Sequence, residues 1–284
     1  MESGRGKNFK GLSIFMVESL KELSAKCQKP RYKEVGNWMV RNILRDAALP
    51  MTWLLLHTPV TANQVTLFSI FIGIFSAIFF ALPGPGFFLA AGLFLQFWYY
   101  LDHVDGQIAR YRGTACLTGR FFDFVTHHLI HALILFPLGL YCYHKTGNFI
   151  FVIWGFIGTL GTVMFNLIYD VQYKTFFEKI ELQKNLQIRK SNAATSSTQK
   201  DSASAIKKIY AAFHKAHEIH VMMNILTLAA ILQLTPLFKG IDFRVLLFLF
   251  YGLLAPFLAV TKTAHFIKTR KIDTNFDETF QISS

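Results

Sequence analysis

Residues 61–113 read TANQVTLFSIFIGIFSAIFFALPGPGFFLAAGLFLQFWYYLDHVDGQIARYRG. Two apolar runs are separated there by the turn-forming PGPG at 83–86, and no charged residue occurs between Asp46 and Asp102. A run of that length in a soluble protein would leave nothing to face water; about 20 such residues suffice to cross a bilayer as a helix. The second run then carries acids, which are costly inside a membrane helix and mark where function is to be sought.

The same pattern recurs along the 284 residues. Charge-free gaps separate Asp123 from Lys145, Lys145 from Asp170, Glu218 from Lys239 and Arg244 from Lys262. The hydrophobic share is 52%, only 16% of residues are charged, and 30 are Phe, a composition far from that of a soluble domain. The expected fold is all-α: a polytopic membrane bundle of about six transmembrane helices, at roughly 61–82, 86–111, 116–142, 148–173, 218–238 and 243–266. Residues of about 35–56, with Arg41, Arg45 and Asp46 interrupting an apolar run, are expected to form an interfacial amphipathic helix before the first span, broken at Pro50.

This divides the chain into an N-terminal cytoplasmic and interfacial segment (1–58), spans one to four (59–173), a basic cytoplasmic linker (174–217), spans five and six (218–268) and a cytoplasmic tail (269–284). The linker carries the low-complexity stretch SNAATSSTQKDSASA and reads as solvated chain joining two membrane halves. Arg110, Arg112, Arg120, the linker and KTRK at 268–271 fall on one side of a six-span arrangement, which the positive-inside rule makes cytoplasmic. No removable signal peptide is expected at the basic N-terminus. The net charge of +12 is spread over segments flanking the apolar runs, so anionic membrane lipids, and not nucleic acid, are the expected partners. The three cysteines, Cys27, Cys116 and Cys142, lack metal-type spacing.

Chemistry is concentrated between Tyr99 and His128, in YYLDHVDGQIARYRGTACLTGRFFDFVTHH. At about 100° per residue, Asp102, Asp105, Gly106 and Ala109 share roughly a third of one helix's circumference, with Arg110 at its border. Gly119, Asp123 and His127, four apart, stack along one face of the next helix. The two helices are antiparallel through a loop at about 112–116, so both faces can line one cytoplasm-facing pocket. Three carboxylates in such a pocket form a hard-oxygen site suited to magnesium or manganese, and two ions could bridge a pyrophosphate. The small residues Gly106, Ala109 and Gly119 leave room for a flat group such as a nucleotide. An isolated Asp-x-x-Asp or pair of small residues on a membrane helix more often serves packing.

The order Asp, two residues, Asp-Gly, two residues, Ala-Arg, eight residues, Gly, three residues, Asp resembles the signature of the CDP-alcohol phosphatidyltransferase family. TPVTANQVTLFSIFIGIF at 58–75 is similar to that family's first span. The resemblance covers roughly 59–142. It implies that Asp102, Asp105 and Asp123 bind a pair of Mg2+ or Mn2+ ions and that Gly106, Ala109, Arg110 and Gly119 hold the CDP moiety. It further implies a CDP-alcohol donor, a hydroxyl acceptor (polyol, polyol phosphate or lipid), a role in phospholipid biosynthesis and a homodimer. The signature's last Asp is replaced by His127, which can ligate a metal or act as general base but brings no negative charge; His128 or His131 could share that role. Asp170 is placed to reach the same cavity or to solvate its helix end. Arg112 and Arg120 could grip a phosphorylated acceptor or merely follow the positive-inside rule. The competing readings are a relative that binds CDP-alcohols without turning them over, an intramembrane prenyltransferase and a transporter.

Overall fold

The computed structural model describes residues 19–29, 31, 33–34, 36–182, 186–188 and 205–282. Helix α1 (Leu20–Cys27) is followed by a π-helical turn (Val40–Leu44), α2 (Arg45–Ala47) and α3 (Leu49–Leu56). Next come α4 (Ala62–Ala81) and α5 (Pro85–Tyr111), joined where Gly84 takes a φ of 104° that other residues rarely adopt. The chain continues through α6 (Leu117–Ala132), α7 (Leu135–Thr146) and α8 (Ile150–Leu182). Strand β1 (Leu186–Ile188), α9 (Ala205–His217), α10 (Ile219–Gln233), a 3-10 turn (Pro236–Phe238), α11 (Phe243–Lys268), α12 (Lys271–Thr279) and β2 (Phe280–Ile282) complete it. The two strands pair antiparallel, with Ile188 opposite Phe280.

Among the described residues, four helical stretches are long and apolar enough to cross a membrane: Ala62–Ala81, Leu117–Thr146, Ile150–Leu182 and Phe243–Lys268. Their outward residues, among them Phe68, Phe71, Leu160 and Phe257, are exposed apolar side chains of the kind that face lipid. The expectation of about six spans is therefore corrected to four. Helix α5 has the length, at 27 residues, but Gln96, Asp102, Asp105 and Gln107 make it too polar. Helix α10 is apolar but has 15 residues, about 22 Å against a hydrocarbon core of about 30 Å. The break expected at Pro50 in the helix over 35–56 is also corrected. The helical backbone runs on over 38–56 through a π-turn at Val40–Leu44 and a turn at Ala48, and Pro50 does not break it, because it lies in the first turn of α3, where its missing N–H costs nothing. The two strands are a small addition to an otherwise helical chain. Helix α8 runs nine residues beyond 173, α9 covers 205–217, and residues 183–185 and 189–204 of the expected linker lie outside the described residues.

Contacts divide the chain into two units, one of residues 1–72 and 97–126, the other of 73–96 and 127–284; the boundaries fall inside the unbroken helices α4, α5 and α6. In the first unit, polar bonds tie the segment before α4 to the second half of α5. Thr52 Oγ1 donates to Gln107 Oε1 at 2.6 Å, Gln107 Nε2 to the Arg45 carbonyl at 2.8 Å, and Tyr100 OH to the Ala47 carbonyl at 3.1 Å. Arg112 donates to the carbonyls of Val60 (2.5 Å) and Thr58 (2.8 Å) and so fixes the entry to α4.

In the second unit α8 packs on α7 and α11 through glycines. A Cβ at Gly139 would lie 2.6 Å from the Phe151 carbonyl oxygen, and one at Gly161 would lie 2.7 Å from Ala255 C. Between α6 and α7 the helix is interrupted at Leu133–Ile134, because Pro137 has no N–H for the Leu133 carbonyl. At the opposite end, Asp242 caps α11 by accepting from the Arg244 and Val245 amides. It also accepts from Tyr141 OH and Lys145 Nζ, each at 2.5 Å. The buried Arg244 guanidinium lies 3.5 Å over the Tyr141 ring and donates to the carbonyls of Leu82 (2.6 Å) and Gly84 (3.2 Å).

Candidate functional site

The singled-out stretch occupies the second half of α5, a tight turn and the start of α6. Helix α5 ends because Gly113 adopts a left-handed φ of 64°. The Thr114 amide then reaches back to the Ala109 carbonyl (2.9 Å) and the Gly113 amide to that of Arg110 (3.2 Å), closing the helix in a Schellman motif. Cys116 opens α6, its sulfur accepting from the Gly119 amide at 3.4 Å and its carbonyl from the Arg120 amide at 3.1 Å. The short turn thus brings the acidic ends of two antiparallel helices together.

Three of the expected site residues meet. Asp102, Asp123 and His127 each offer a ligand atom, all within 4.8 Å of one another, and all three side chains are half-buried. Asp123 and His127 sit one turn apart on the same continuous helix, so their spacing is set by α6 itself. His103 Nδ1 lies 3.0 Å from the Tyr99 carbonyl, an acceptor, which makes it the protonated nitrogen; it is 3.4 Å from Asp102 Oδ2. A set of two carboxylates and one imidazole fits a divalent cation. The two negative charges match one such ion.

The remaining expected residues are placed differently. Asp105 stands outside the trio and is buried, with Oδ2 accepting from Thr66 Oγ1 at 2.5 Å. Arg110 Nε donates to the Cys27 carbonyl at 2.5 Å, so the end of α1 holds this guanidinium. The space left by the missing side chain of Gly106 is taken by Arg110 itself, whose Nη1 would lie 3.0 Å from a Cβ there. Ala109 contributes its carbonyl to the helix end, and Gly119 is half-buried near Asn63. Of the neighbouring histidines, His128 Nε2 pairs with Asp170 at 2.7 Å, while His131 is buried with Nδ1 3.2 Å from the Asn166 amide.

The sequence reading missed Thr66 and the Cys27 carbonyl. Thr66 lies in the NQVT stretch at the start of α4, so a signal for it was present. A backbone carbonyl 83 residues away from Arg110 gives none.

A comparison with curated protein sequences found no match. The family model described as CDP-alcohol phosphatidyltransferase matches residues 59–187, which include α4, both motif helices, α7 and α8. A CDP-alcohol phosphatidyltransferase domain is therefore present over residues 59–187.

Proposed function

We propose that the protein is an integral-membrane phosphotransferase that moves a phospho-alcohol group from a CDP-alcohol to an acceptor hydroxyl. In this reaction the acceptor oxygen forms a bond to the phosphorus bearing the alcohol. The bond from that phosphorus to the bridging oxygen of CMP breaks, CMP leaves, and a base takes the hydroxyl proton. The observation that carries the reading is the convergence of Asp102, Asp123 and His127 within a domain of this family. A divalent cation bound there would supply positive charge to the substrate's phosphate oxygens.

On this reading Asp102 and Asp123 provide the negative charge that retains the cation, and His127 supplies the third donor. Asp105, fixed by Thr66, adds a carboxylate beside the same helix face. Arg110 offers guanidinium N–H groups to phosphate while the Cys27 carbonyl orients it. Gly119 keeps the first turn of α6 open for the nucleotide. The basic residues of the turn and helix ends support a cytoplasmic orientation for this site.

His127 also supports a second reading, in which the protein binds CDP-alcohols without turning them over, because the imidazole brings no charge where the family signature has an acid. One experiment separates the two. Purified protein is incubated with a panel of CDP-alcohols, candidate acceptors and Mg2+ or Mn2+, and the products are identified by mass. Turnover predicts CMP and a new phosphodiester, and loss of at least two orders of magnitude in Asp102→Asn and Asp123→Asn. CDP-alcohol binding without CMP release under every condition would sustain the second reading and remove the first.

A further inference from the structure

Outside the motif helices, the polar end of α8 and the short α12 enclose an open cavity of about 450 Å³. That volume lies within the range of small-molecule sites, about 300–1,000 Å³. Its walls are aromatic: Tyr173, Phe176 and Phe177 from α8, and Phe280 just after α12. The Phe176 ring stands nearly perpendicular to those of Tyr173 (79°) and Phe280 (89°), with centroids 6.1 Å away in both pairs. Phe176 is buried as the floor, while Tyr173 and Phe177 are 65% and 61% exposed, so a ligand can reach them. One edge is fastened by the Asn275 amide donating to Gln172 Oε1 at 3.2 Å.

Glu278 is the one charged residue in the lining. Among the described residues no cation lies within 4.0 Å of its carboxylate. The nearby Lys179 is 3.8 Å from Asp277 and sits 4.0 Å over the Phe276 ring instead. An acid at the rim of an aromatic box selects for positive charge. Aromatic faces favour a cation that sheds water easily, which an alkylated ammonium does and a compact metal ion does not. The position is suited to a headgroup as well. Helix α8, at 33 residues, is about 50 Å long and so exceeds a hydrocarbon core of about 30 Å; its end carries Asp170, Lys174, Glu178 and Lys179.

We infer that this cavity is a binding site for an alkylammonium group, held by the faces of Tyr173, Phe177 and Phe280 and by the carboxylate of Glu278. A soluble amino alcohol such as choline and the headgroup of a zwitterionic phospholipid share this chemistry. The site is independent of whether the motif helices catalyse transfer.

The test uses full-length protein in phosphatidylglycerol nanodiscs, with radiolabelled choline binding measured at constant ionic strength. The expected result is saturable binding, with the neutral isostere 3,3-dimethyl-1-butanol competing at least about tenfold more weakly than tetramethylammonium. Glu278→Gln and Tyr173→Ala should each weaken binding about fivefold or more, with the melting temperature checked for both. Reduced binding in phosphatidylcholine discs would assign the site to a lipid headgroup, and unchanged binding there to a soluble amino alcohol; both support it. Absence of saturable choline binding in phosphatidylglycerol discs, equal competition by the neutral isostere, or binding unaffected in both folded variants would overturn it.

Discussion

Two residues of the motif illustrate what spacing does and does not reveal. Asp102 and Asp105 are one turn apart and look equivalent in the sequence, yet Asp102 joins Asp123 and His127 while Asp105 is buried against Thr66. Helical periodicity put both on one face, and the difference comes from α4, whose Thr66 hydroxyl reaches only one of them. A buried acceptor that loses its donor costs about 1–3 kcal/mol, more when charged. Thr66→Val is therefore expected to lower the unfolding free energy by at least that amount, whereas Thr66→Ser retains the hydroxyl and stays close to wild type. Denaturant titration of both variants in maltoside micelles checks this; equal stability would show that the bond to Asp105 contributes nothing. Arg112 shows the opposite limit, since a grip on a phosphorylated acceptor and a plain basic anchor were both open, and the structure gives it the carbonyls of Thr58 and Val60.

At the scale of elements, the apolar runs located the helices well, including the turn at 112–116, but overcounted those able to span a bilayer. Hydropathy averages a helix, whereas spanning demands length and uniform apolarity together, and α10 fails the first and α5 the second. Close packing was equally hidden. Nothing in the sequence singles out Gly161 among the 18 glycines, yet a methyl there would meet the backbone of Ala255 and Pro256 on α11. Gly161→Ala is expected to destabilise the fold by about 1–3 kcal/mol, as overpacking does. Gly86→Ala, with nothing within 4 Å of the added carbon, serves as the near-neutral comparison in the same melting experiment. Asp242 joins α7 to α11 and adds a pH dependence. Burial alone would raise its carboxyl, but hydrogen bonds from Lys145 and Tyr141 outweigh that and hold it below the ordinary aspartate value of about 4. The stabilisation is thus complete above that value and is lost as pH falls through the lower folded one. Wild type should lose more thermal stability between about pH 5 and pH 2 than Asp242→Asn, which carries no charge to lose.

For the whole molecule, the side of the membrane that the motif faces decides which pool of nucleotide can reach it, and the three cysteines offer a way to read it without engineering. Cys116 is exposed at the first turn of α6, whereas Cys27 and Cys142 are buried. Burial also pushes the Cys27 thiol up to about 11, against a smaller opposing effect of Arg110, so little thiolate is present there at neutral pH. A membrane-impermeant maleimide should therefore modify one site per folded chain. The basic residues around that site, Arg110, Arg112 and Arg120, favour the cytoplasmic side, where phosphate-bearing nucleotides are supplied. Sealed vesicles exposing the cytoplasmic face should take up one label, located at Cys116 by peptide mass, and vesicles of the opposite sidedness none until detergent is added. Labelling confined to the opposite vesicles would invert the molecule and place the Asp102, Asp123 and His127 cluster beyond reach of a cytosolic CDP-alcohol. Cys116→Ser in the same experiment shows whether the label is confined to that thiol, because its removal should abolish modification while α6 keeps a hydroxyl to cap its first turn.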